Sequence, residues 1–138
     1  MAAISNATFS FLKALKKNNN RDWFNDNKNA YNKAKADFDE FGNHLILRVQ
    51  GIEPRLEPLT AKNCVFRIYR DVRFSKNKDP YKTNFGAAIT PGGRKSPLGT
   101  YYVHISPGES FVAGGMYMPE SKVLKKVRQE IDYNTDEF

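Results

Sequence analysis

Apolar positions recur at helical spacing over the first fifty residues and at strand spacing beyond residue 60, a change of period that predicts an α+β chain. Phe11, Leu12 and Leu15 recur at i, i+1 and i+4 behind Thr8, which predicts a short helix capped by that threonine. Lys16 and Lys17 sit in its last turn, where the helix dipole favours cations. The run Asn18-Asn19-Asn20 reads as a break. Between Asp22 and Gln50, Phe24, Tyr31, Phe38, Leu45 and Val49 keep a three-four rhythm with one polar lapse at Asn27. An unbroken helix of that length runs about 43 Å. Gly42-Asn43 is the place for a bend, and Gly51 is the stop.

Pro54 and Pro58 then predict an irregular connection. After it, Phe66, Ile68, Val72 and Phe74 alternate with polar residues, the signature of a half-buried strand. Ser75 to Tyr81 reads as a polar loop, because Pro80 biases Asp79 away from helix. Further strands are predicted over Asn84–Thr90, Gly99–Ser106 and Ser110–Met116, separated by turn chemistry at Pro91-Gly92-Gly93 and Pro107-Gly108. Pro119 suits the start of a closing helix whose Val123, Leu124, Val127 and Ile131 share one face. The expected fold is an antiparallel meander of about four strands, with N-terminal helices on one face and a C-terminal helix. Trp23, Tyr31, Phe38, Phe66, Ile68 and Val72 are expected in one core, and residues 1–138 in one domain.

Composition narrows the function classes. With 40% hydrophobic and 13% aromatic residues the chain can build a core, which excludes global disorder. No apolar run approaches the roughly 20 residues of a membrane span, and the N-terminus lacks a signal-peptide pattern. Cys64, the single cysteine, excludes an internal disulfide and makes the cytoplasm the default compartment. Cys64, His44 and His104 offer no zinc-site spacing, so neither metal nor cofactor is expected. Charge adds more. Residues 62–95 hold nine basic residues against two acidic ones and so carry the whole net +7 of the chain. A local excess of this kind fits an anionic partner, or a solvated basic face.

The densest chemistry lies in Phe66-Arg-Ile-Tyr-Arg-Asp-Val-Arg-Phe74. Strand alternation would put Arg67, Tyr69, Asp71 and Arg73 on one face, with Asp71 placed to hold one of the two guanidinium groups. The planar fork of arginine suits bidentate binding of phosphate or carboxylate. A cross-strand ion-pair ladder would use the same residues. The loop that follows adds Lys76, Lys78 and Lys82, able to clasp phosphates but without the glycine spacing of a P-loop. Arg70 falls on the apolar side, where it needs a carboxylate (Asp22 or Asp26) or a bulge that turns it outward. His104 is either a proton shuttle or a structural histidine. Gly114-Gly115 allows close approach of a backbone or ligand, or marks a bulge.

These residues predict binding of a phosphorylated or other anionic small molecule by the Arg/Lys-rich strand and loop. Two other readings use the same surface. One is a nucleic-acid-binding domain with a basic footprint. The other is an enzyme in which Asp71, Tyr69 or His104 handles protons beside the arginines. A bounded pocket favours a small ligand or an enzyme, and a broad basic groove favours nucleic acid.

Four segments together carry a resemblance: Phe11-Leu12 with Trp23-Phe24, Arg67-Ile-Tyr-Arg-Asp-Val-Arg-Phe-Ser75, Pro80-Tyr-Lys-Thr83, and Gly114-Gly115 with Met118-Pro119. The chain resembles the bacterial and fungal conserved hypothetical proteins of the domain of unknown function 2461 family, over nearly its whole length. The resemblance implies no established activity. Family members read Ser-Lys-Asp-Lys-Thr/Ser-Pro-Tyr-Lys where this chain has Asn77 and Asp79, so its carboxylate falls two positions later. They also run beyond the equivalent of Phe138, which implies a member shortened at its C-terminus.

Overall fold

A layer of helices covers one face of a small antiparallel sheet. The computed structural model describes residues 2–56 and 58–138. Its helices are α1 Asn6–Lys17, α2 Arg21–Asp26, α3 Lys28–Gln50 and the single turn α4 Ala61–Cys64. Strands β1 Phe85–Ile89, β2 Thr100–Ile105 and β3 Phe111–Gly115 follow, then α5 Ser121–Tyr133 and a 3-10 turn, Thr135–Glu137.

Ser5, three residues ahead of the predicted Thr8, caps α1 by accepting the Thr8 amide at 3.3 Å. Thr8 is instead buried within the helix, and its hydroxyl donates to Asp37 on α3. Burial pushes the Asp37 carboxyl up. Hydrogen bonds from Thr8 and Ser5 outweigh this, so the group lies below the usual carboxylate range. The expected single helix over residues 22–50 is two helices. They part at the polar lapse Asn27, whose side-chain amide donates back to the Trp23 carbonyl at 2.9 Å. Gly42, where a bend was expected, is buried inside an unbroken α3. Its neighbour Asn43 accepts the Ala61 amide at 2.8 Å and so holds the start of α4.

The asparagine run does more than interrupt the helices. Asn20 caps α2. The Asn19 side-chain amide donates to the Tyr81 carbonyl at 2.9 Å and accepts the Tyr81 N–H at 3.1 Å. A side chain thus makes both bonds that a neighbouring strand would make, tying the helical layer to the segment leading into the sheet.

The sheet runs β1-β2-β3, each pair antiparallel, with Phe85 opposite Ile105 and Tyr102 opposite Ala113. Among the described residues it has three strands rather than the expected four. The predicted strand over 66–74 is absent as a ladder, and only isolated bridges form, Val65 with Ala87 and Tyr69 with Tyr81. The chain bends at Ile68 and turns at residues 73–74, and the facing segment supplies Pro80, which has no N–H to donate. Among the described residues Arg70 has no carboxylate in an ion pair. Its guanidinium donates to the Asp79 carbonyl at 2.8 Å and the Ser75 hydroxyl at 3.3 Å, folding residues 70–80 into a loop around itself. Alternation was present in the sequence; a partner strand was not available.

The core lies between α1, α3 and the inner face of the sheet. Phe38 is fully buried and stacks on Phe85 with ring centres 5.3 Å apart. Ala87, Ile89, Val103 and Ile105 complete the sheet side. Of the expected core, Tyr31, Phe38 and Ile68 are buried and Trp23 packs at the margin. Phe66 and Val72 are only half-buried, and Phe66 belongs to the opposite side of the sheet. Among the described residues no helix is long and apolar enough to cross a membrane.

Candidate functional site

Alternation along β1 and β2 divides their side chains between two environments. Phe85, Ala87 and Ile89 point into the helical core. Gly86, Ala88 and Thr90 floor a cleft on the other face, together with Thr100, Tyr102 and His104 of β2. Phe111 of β3, Phe66 and Val123 of α5 wall it in, and its volume is about 1130 Å³. That is slightly larger than the usual small-molecule site, about 300–1,000 Å³.

Strand register explains why the cleft is open. Gly86 lies opposite His104, and a Cβ on Gly86 would come within 2.7 Å of the Tyr102 hydroxyl. The missing side chain lets Tyr102 lie across β1. From there its hydroxyl shares a hydrogen bond with His104 Nδ1 at 2.9 Å. Asn84 Nδ2 approaches the same nitrogen at 3.4 Å. An amide nitrogen only donates, which makes Nδ1 the acceptor and leaves the ring proton on Nε2. Burial holds the His104 pKa down, against a smaller opposing pull from Glu109, so the ring is neutral at pH 7. Burial, and to a lesser degree Tyr117, raises the Tyr102 phenol, which keeps its proton.

Basic side chains gather at the cleft margin. Arg67, Lys82 and Arg94 line it, against Glu120 as the one acidic lining residue. Lys82 donates to the Arg67 carbonyl at 2.8 Å and sits 5.6 Å from the centre of the Phe66 ring. Burial lowers its pKa, and the neighbouring Arg67 charge lowers it further. Arg94 is anchored by donation to the Lys62 carbonyl at 2.6 Å. Among the described residues, none of these three cations has a carboxylate in an ion pair. Arg67 also borders a smaller hollow of about 430 Å³, which it shares with Arg21, Arg70 and Tyr69.

The seven residues singled out in the sequence therefore part company. Arg67 and Lys82 come together at the cleft. Tyr69 turns toward the helices, where its hydroxyl accepts from Lys28 at 3.1 Å and its ring packs 5.6 Å from Tyr81. Asp71 and Arg73 pair with each other at 2.7 Å in the exposed loop, which brings the Asp71 carboxyl down to about 2. Lys78 folds back onto the Val72 carbonyl at 2.8 Å, and Lys76 is exposed. Asp71, Tyr69 and His104, the trio of the enzyme reading, occupy three separate places. Sequence reasoning passed over Gly86, Tyr102, Phe111 and Arg94 as functional positions. The signal for Gly86 was a glycine inside a strand pattern, which marks close approach. Tyr102 and His104 were adjacent on one strand face and could have been paired.

The chain belongs to the family described as conserved hypothetical protein (DUF2461), which it matches over residues 7–138. No curated protein matches it, and no solved structure matches it.

Proposed function

We propose that this chain binds a small anionic ligand, phosphorylated or carboxylated, in the cleft on the outer face of the sheet, with Arg67 and Lys82 as the anion-binding pair and Arg94 at the margin. The observation that carries this reading is that Lys82 is half-buried beside Arg67, with no carboxylate in an ion pair among the described residues. The half-buried ammonium of Lys82 and the exposed guanidinium of Arg67 beside it repel each other, and an anion bridging them relieves that repulsion. The walls of the cleft bound the ligand, which favours a small molecule over a nucleic-acid strand. Arg73, Lys76 and Lys78, in the exposed loop ahead of Lys82, add to the positive field that draws anions toward the protein. Asp71 keeps Arg73 in place.

The test is thermal unfolding at low ionic strength with pyrophosphate or ribose 5-phosphate. A ligand at a hundred times its Kd stabilises by about 2.7 kcal/mol. The double change Arg67→Ala with Lys82→Met should abolish that protection, whereas Arg73→Ala should retain it. Full protection of the double variant would sink the assignment.

A further inference from the structure

We infer that the ligand of this cleft carries its anionic group on a planar aromatic or heteroaromatic ring, as a mononucleotide does. The inference rests on the anion-binding reading above and concerns the part of the cleft away from the cations. A bare phosphate or a sugar phosphate would engage Lys82 and Arg67 and leave most of the 1130 Å³ unfilled. The remaining wall is built of rings. Phe66 lies 6.4 Å from Tyr102, Tyr102 lies 5.8 Å from Phe111, and His104 stacks on Phe111 at 4.7 Å with the planes 14° apart. Lys82 stands at the Phe66 end of this series. Charge and aromatic surface are therefore joined in one continuous lining.

The floor between these rings is nearly featureless. Ala88, Ala113 and Gly115 place hydrogen or methyl where other residues would project, and a Cβ added at Gly115 would meet nothing within 4 Å. A flat floor beside ring walls suits a flat guest, because stacking maximises contact without requiring a fitted outline. His104 adds a polar handle. With Nδ1 occupied by Tyr102 and Asn84, its Nε2–H has no acceptor among the described residues and can donate to a ring nitrogen or carbonyl. Phe111 is half exposed on an edge strand, an uncommon position for a large ring with no role in the core.

Calorimetric titration with adenosine 5′-monophosphate, riboflavin 5′-phosphate and ribose 5-phosphate at one low salt concentration separates the two claims. At least one ring-bearing phosphate should bind about tenfold or more tightly than ribose 5-phosphate, the effect expected of one ring stacked on aromatic side chains. Phe111→Ala should bring that ratio toward one, and an unchanged melting temperature would show that the variant still folds. Equal binding of all three compounds, or a ratio untouched by Phe111→Ala, overturns the ring and leaves the anion site standing. Failure of every phosphate to bind overturns both.

Discussion

The two faces of the sheet are made from the same strands and are built for opposite ends. On the inner face β1 and β2 give apolar side chains to the core, and the rings interlock, as Phe38 does with Phe85. On the outer face the same strands present Gly86, Ala88, Tyr102 and His104, which leave space between them. The first arrangement maximises dispersion contacts and buried area. The second gives up both and holds its polar groups in a defined geometry. Stability and ligand recognition are thus assigned to alternate residues of one strand, so the period of two that forms a sheet also partitions its labour.

The largest expected effect lies on the inner face. Phe38→Ala empties a fully enclosed site and should cost about 3–5 kcal/mol in urea unfolding. A loss under half a kcal/mol would show that the inner face is not the stabilising one. Next comes Gly86→Ala, which acts on the outer face through shape. Its methyl group meets the tip of Tyr102, a side chain able to swing aside, so the cost should be about 1 kcal/mol. The Tyr102–His104 hydrogen bond should be lost at the same time, with the imidazole resonances of His104 shifting in the NMR spectrum. Unchanged resonances would mean the tyrosine does not lie across β1.

The smallest effect, and the sharpest, concerns Lys82. Its folded pKa lies below the ordinary 10.5, so between the two values the unfolded chain holds more protons and stability rises with pH. At neutral pH the charged amine is therefore a cost to the fold. Lys82→Met should change stability by no more than about 0.5 kcal/mol, toward gain, and should remove the alkaline rise. A variant that is clearly destabilised and keeps the rise would make Lys82 structural and erase the contrast between the faces.

Much of this architecture was legible from periodicity. The stripes Phe11-Leu12-Leu15 and Tyr31-Phe38-Val49 are buried as their spacing implied, and three of the expected strands stand within two residues of their predicted bounds. Residues 66–74 show where such reading stops. Alternation records which side chains are apolar, whereas a strand also needs a neighbour with free donors and acceptors, and Pro80 together with the loop around Arg70 withholds them. The cleft was half legible. Basic composition pointed to Arg67 and Lys82, but the loop side chains beside them satisfy one another in ways that no linear pattern encodes. Tyr102, His104 and Gly86 become one unit only through β1–β2 register, a relation between positions 16 to 18 residues apart.

The bridge at Val65 has a consequence for assembly. The outer edge of β1 is already occupied, since Phe66 donates to the Gly86 carbonyl at 2.9 Å. At the other end β3 keeps an unpaired edge with no charge in Phe111–Gly115 to repel a second strand, and Val112 beside it is 79% exposed. Among the described residues this sheet therefore has a valence of one. Strand addition at β3 would use up the free valence, so two copies joined there form a closed pair with nowhere to add a third. A ribbon needs two open edges on every unit, and the segment Val65-Phe66 has capped one of them.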